Sequence, residues 1–141
     1  MQLTGAAESA DSRSKKAMPY TIDPVWRLVT FSPKQLPTLG AFEADIDQLV
    51  SDPLFHPGFS VLVDRRQLTV EPDAAFVRGA IELMAHPRLA GIRWASLTSH
   101  LATYGMGRMA EALAENRGVD YRVFTDETEA MNWLRDRSTE E

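Results

Sequence analysis

The chain contains no cysteine. That absence excludes disulfides, thiol catalysis and thiolate metal sites. It also fits a reducing compartment, and the expected location is the cytoplasm. A basic excess is missing as well: 15 lysines and arginines stand against 20 aspartates and glutamates, for a net charge of −5. A surface of that balance does not hold nucleic acid non-specifically, so no nucleic-acid partner is expected. No apolar run approaches the roughly 18 residues of a membrane-spanning helix. Histidines number three; His56, His86 and His100 are scattered, and the first two each precede a proline. They lack metal-ligand spacing, and neither a metal nor another cofactor is expected.

With 141 residues, 44% hydrophobic and 25% charged, the chain has the size and composition of one soluble globular domain. Residues 1–17 are small and polar, carry Lys15-Lys16 and lack the apolar centre of a secretory signal. They read as a disordered tail, and Met18 is a candidate natural start. The domain is expected over residues 18–136, with a charged tail over residues 137–141.

The stretch from Ser60 to Met84 sets the architecture. Ser60 to Asp64 is a short β-branched apolar run, the mark of a strand buried on both faces. Asp73 follows Pro72 and precedes a helical stripe of Val77, Ala80, Ile81 and Met84, so it is a natural N-cap. A buried strand followed by a capped helix is half of an α/β crossover.

Around it the same alternation recurs. Tyr20 to Ile22 and Val25 to Phe31 read as two strands joined by a tight turn at Asp23-Pro24, with Arg27 near an edge. Residues Ser32 to Pro37 are a loop. Thr38 caps a helix with Leu39, Phe42, Ile46, Leu49 and Val50 inward, and Glu43, Asp45, Asp47 and Gln48 on a solvated face. Asp52-Pro53 stops it. A third parallel strand is expected over Ile92 to Thr98. Thr98 or Ser99 then caps a long helix with Met106, Met109, Ala110 and Leu113 inward, closed by Gly118. Val119 to Phe124 is the last strand, and Asp126 with Glu129 forms a capping box for a final helix. The fold class is therefore α/β: a single-layer mixed, mostly parallel β-sheet with helices, in the order β-β-α-β-α-β-α-β-α.

No catalytic constellation emerges. Ser99-His100 are adjacent, point in different directions and lack a nucleophile elbow. Tyr104-Gly105-Met106-Gly107 falls inside a helix, without the preceding strand and third glycine of a nucleotide loop. The two glycines instead imply close backbone approach to a neighbour, with Gly105 expected on the inward side and Gly107 nearer the outside. Asp64-Arg65-Arg66 sits at the carboxyl end of a strand, where open α/β sheets place a ligand crevice.

The order and these residues together resemble the STAS domains, and more closely their bacterial SpoIIAA-like group. Val61 to Val70 is similar to the strand–loop segment preceding the second STAS helix, and Val123-Phe124-Thr125-Asp126 with Ala130, Trp133 and Leu134 is similar to the SpoIIAA-like ending. Pro33 to Pro37 stands where STAS domains carry a loop after the second strand. STAS antagonists of anti-sigma factors carry a phosphorylatable hydroxyl at the start of the second helix. Here Glu71-Pro72-Asp73-Ala74-Ala75 stands there, and Thr69 lies too early, so that switch is not expected. The resemblance implies a non-catalytic regulatory module that binds a protein partner, with Asp64, Arg65, Arg66, Glu71 and Asp73 as candidates. It also implies an alternative: a carrier or sensor of a small apolar ligand, at a membrane surface and as a homodimer. Phe55, Phe59, Trp94, Tyr104, Gly105, Met106 and Met109 are the apolar-ligand or interface candidates. A cavity beneath the third helix favours that alternative; a filled core with an exposed patch at the 64–73 turn favours the partner module.

Overall fold

The computed structural model describes residues 20–136. The expected tails at residues 1–17 and 137–141 lie outside the described residues, as does Met18. Five strands form one sheet whose spatial order follows the chain. Strands β1 (Tyr20–Asp23) and β2 (Leu28–Phe31) are antiparallel, whereas β2, β3 (Ser60–Asp64), β4 (Arg93–Leu97) and β5 (Asp120–Phe124) are parallel to one another. Helices α1 (Leu39–Val50), α2 (Ala74–Met84), α3 (Leu101–Asn116) and α4 (Glu127–Arg135) follow β2, β3, β4 and β5 in turn. The element order matches the expected β-β-α-β-α-β-α-β-α, with one 3-10 turn at Pro87–Leu89 inserted after α2.

A sheet that grows in one direction by crossovers of one hand carries its crossover helices to one face. Accordingly α1 packs on α2 and α2 on α3. Beneath them Val29, Phe31, Val61, Trp94 and Tyr121 point up into a core shared with Phe42, Ile46, Val77, Ile81, Ala110 and Ala114. The opposite face is covered by α4, through Leu62, Ala95, Leu97, Phe124, Ala130 and Leu134. Burying apolar surface at about 25 cal/mol per Å² drives both layers. Polar contacts fix α4 in place. The Arg93 guanidinium donates to the Trp133 and Asp136 carbonyls at 2.6 and 2.8 Å, and Ser60 Oγ donates to the Leu134 carbonyl at 3.2 Å. A cation at a helix C-terminus satisfies carbonyls that have no partner within the helix.

Three expected caps are formed. Thr38 Oγ1 accepts from the Ala41 N–H at 3.0 Å, Asp73 Oδ1 from the Phe76 N–H at 2.8 Å, and Asp126 Oδ1 from the Thr128 N–H at 2.8 Å. Past α3, Gly118 has the positive φ of 73° expected of a residue closing a helix.

Other expectations need correction. The second strand begins at Leu28 rather than Val25, because Asp23 Oδ1 accepts from the N–H groups of both Val25 and Trp26 and prolongs the turn. Arg27 takes a left-handed φ of 56° and hands its carbonyl to the Ser60 N–H at 2.9 Å. Neither Thr98 nor Ser99 caps α3. His100 occupies the N-cap without a side-chain hydrogen bond, and buried Thr98 accepts from the His100 N–H at 3.3 Å instead. Asp45 is not on a solvated face but fully buried. It lies near Tyr20 of β1, whose phenol is pushed up to about 12 by burial and by Asp52 and Asp45.

The two glycines of α3 exchange roles. Gly105 is exposed, and a methyl group there meets nothing within 4 Å. Gly107 is buried, and a Cβ on it stands 2.5 Å from Val123 Cγ2 and 2.7 Å from Val123 Cβ. Gly107→Ala therefore destabilises the fold, by about 1–3 kcal/mol as overpacking does, and the penalty shrinks in a Val123→Ala background. Gly105→Ala gains up to about 1 kcal/mol of helix propensity. Urea denaturation of the variants checks both, and equal stability of Gly107→Ala and the parent would refute the close contact.

A candidate small-molecule pocket

At the carboxyl ends of β2 and β3 the chain leaves the sheet through two loops, and both fold over the helical face. Leu36 and Pro37 from the first and Leu68 and Pro72 from the second roof a half-open cavity of about 80 Å³. Its walls come from Phe42 of α1, from Phe76, Val77, Ala80 and Ile81 of α2, and from Ala110 of α3. Its floor is the sheet: Val63, Trp94, Ser96 and Tyr121. The space exists because Ala80, Ala110 and Ser96 are small residues on three different elements that face one volume. The cavity thus lies mainly beneath α2, and α3 reaches it at Ala110.

One corner is polar. Arg65, the first residue after β3, donates its backbone N–H to the Leu97 carbonyl at 2.8 Å, which anchors it beside β4. Its side chain lines the cavity beside Ser96 and Tyr121, and its charge acts on the Tyr121 phenol. Arg65 Nη2 is nevertheless buried with no hydrogen-bond partner among the described residues, and so is the indole Nε1 of Trp94. Buried donors of this kind are uncommon in folded proteins. Burial pushes the Tyr121 phenol upward. The Arg65 charge and the hydrogen bonds from Ser96 and Arg65 pull it down, and the Glu111 charge adds to the rise.

The expected partner-binding residues separate into two groups. Arg65 turns toward the cavity. Arg66 turns away and grips Asp64 with two bonds of 2.9 and 2.8 Å, and it also reaches Glu127 of α4 at 3.3 Å. Those bonds hold the Asp64 carboxyl below its usual range, against an opposing effect of burial. Asp73 is used as the α2 cap, Glu71 is exposed, and Val70 at the loop tip is 62% exposed. Of the expected apolar-ligand residues, Trp94 lines the cavity. Phe55 and Phe59 pack edge to face, 5.9 Å apart, near the amino end of β3. Met106 and Met109 pack against the main core, and Tyr104 and Gly105 line no part of the cavity. Sequence reasoning missed Ser96 and Tyr121. The one available signal was a serine on the same side as Trp94 in a buried strand.

Two further hollows, of about 240 and 340 Å³, lie toward the amino ends of the strands, and Trp94 borders the first of them as well. Among the described residues no group of three His, Cys, Asp or Glu is placed to hold a metal, and no helix is long and apolar enough to cross a membrane. Comparison with protein-family models, curated proteins and solved structures finds no match.

The polar corner has a titration signature. The folded pKa of Tyr121 lies above its unfolded value of about 10. Its protonated phenol therefore contributes stability that is fully present below pH 10 and is lost as pH rises through the folded value. Tyr20 acts in the same sense through its value of about 12. Spectrophotometric titration should show late-ionising phenols, and Tyr121→Phe should remove one of them. The same substitution removes the phenol oxygen that lines the cavity beside Arg65, and should cost about 1–3 kcal/mol in urea denaturation.

Proposed function

We propose that the chain is a non-catalytic cytoplasmic binding module of the STAS, SpoIIAA-like type whose pocket holds a small apolar molecule. The observation that carries this reading is the cavity roofed by Leu36, Pro37, Leu68 and Pro72, an apolar chamber with one polar corner at the carboxyl ends of parallel strands. Open α/β sheets place ligands there, and small-molecule sites have that mixture of many apolar walls and few polar groups. The element order and the residues around Asp64 and Phe124 support the family part of the reading. Membrane contact and a homodimer are parts of the proposal that the resemblance alone supports.

A regulatory-protein partner is the second reading, and one observation favours it. Val70 projects into solvent between Leu68 and Pro72, which both face the cavity. A phosphorylation switch at the α2 start does not belong to either reading, since the cap position is Asp73, with Ala74 after it.

Filling the cavity from inside separates ligand binding from folding. Ala80→Leu adds apolar atoms to the α2 wall, so its Tm should equal or exceed that of the parent while ligand capture fails. Extraction and mass spectrometry of the purified protein give the readout, with calorimetric uptake of 1-hexanol as the second measure. Equal capture by the parent and Ala80→Leu removes the pocket from the proposed function.

A further inference from the structure

A buried donor on the cavity lining points to the chemistry of the ligand's polar end. Arg65 carries a permanent positive charge and five N–H donors, with no accepting atom. Its charge acts on the Tyr121 phenol, but Nη2 is buried without an acceptor among the described residues. Asp64, the carboxylate next in sequence, is taken up by Arg66. Glu111, the other carboxylate near this corner, accepts from the Val123 N–H at 2.7 Å and pairs with Arg108 at 3.5 Å. The corner therefore holds a cation whose nearby carboxylates are engaged elsewhere.

From this we infer that the pocket takes a small monocarboxylate, its apolar body against Val77, Ala80 and Ile81 and its carboxylate on Arg65. The inference rests on the proposed pocket. Carboxylate is the anion that matches a guanidinium edge in plane and charge, and a charge-assisted hydrogen bond is about twice as strong as a neutral one. Size narrows the class. A water-sized group needs about 10–15 Å³ of such space, so 80 Å³ accommodates roughly five to eight heavy atoms. Aliphatic acids of four to six carbons have that dimension, whereas single-ring aromatic acids, with nine or more heavy atoms, exceed it. Long acyl chains do not fit without opening the roof.

The test compares an acid with its neutral counterpart on the full chain. Hexanoate and 1-hexanol, then butanoate and 1-butanol, are titrated at pH 7 by calorimetry. The acid of each pair should bind at least about tenfold more tightly than the alcohol. In Arg65→Met, which keeps an apolar stem, that ratio should collapse to about one while the alcohol binds as before. In Ala80→Leu both members should lose binding. Equal affinity of acid and alcohol in the parent overturns the carboxylate assignment and leaves the apolar pocket standing. A preference for acid that survives in Arg65→Met, or binding that survives in Ala80→Leu, places the anion elsewhere and also overturns it. If neither member of either pair binds, the pocket itself fails along with the inference. The comparison on the parent protein decides the matter even where a variant folds poorly.

Discussion

A guanidinium cannot shed its charge to suit a buried site, so wherever an arginine is drawn under a roof its surroundings must answer it. That constraint organises the carboxyl edge of this molecule. Arg65 is held at the end of β3 by its own backbone bond to Leu97. Ser96 of β4 and Tyr121 of β5 line the same cavity, and the Arg65 charge acts on the Tyr121 phenol. Three adjacent parallel strands thereby border one charge. Arg66, one residue later, meets the same requirement at the surface by gripping Asp64 and Glu127. The alternation of strand geometry does the sorting: successive side chains leave on opposite sides, so one arginine enters the helical face and the next turns toward α4.

The second face shows the same logic with a different outcome. Here one helix, α4, must cover what three helices cover above. Its short length leaves carbonyl groups at the C-terminal end without partners in the helix, and Arg93 and Ser60 donate to them from the sheet. Trp133 lies between Arg93 and Arg122, with guanidinium carbons 4.9 and 5.6 Å from the ring centre. Stacked arginines extend the apolar cover with their stems while their heads stay polar. The sheet is thus layered above by apolar helices and below by one helix fastened with cations.

Much of this was legible in the sequence, and the reason is local. A cap needs one side chain and the three residues after it, so Thr38, Asp73 and Asp126 could be read directly. A buried parallel strand shows as a short β-branched apolar run, which Val61 to Val63 supplies. Errors arose where a distant element decided. Val25 and Trp26 look like strand residues, yet a carboxylate two and three positions earlier captures their N–H groups. Asp45 looks solvated by composition, and its burial beside β1 depends on a strand far away in the chain. On α3 the expected stripe of Met106, Met109, Ala110 and Leu113 does pack on the core. Its centre lies at the small residues, so Gly107 rather than Gly105 faces the sheet. A helix lying close on a sheet puts its smallest residues inward, here Gly107, Ala110 and Ala114, while Met106, Met109 and Leu113 flank them. The pocket was the least legible feature. It is the space left among small residues of three elements, and no single window of sequence contains it.

The loop between β3 and α2 unites the two functional classes more closely than either suggests alone. Leu68 and Pro72 line the cavity, and Val70 between them is exposed. Five residues therefore present one surface to a ligand and another to solvent. The segment is fixed at both ends, by the Asp64–Arg66 grip before it and by the Asp73 cap after it. Leu68 and Pro72 are buried whereas Gln67, Thr69, Val70 and Glu71 stay exposed. The roof of the cavity is therefore held to the domain by its two inward residues, and the same short loop sets an apolar side chain, Val70, in solvent. Burying apolar surface accounts for the first arrangement; the second is the exposed apolar position that the loop leaves uncovered.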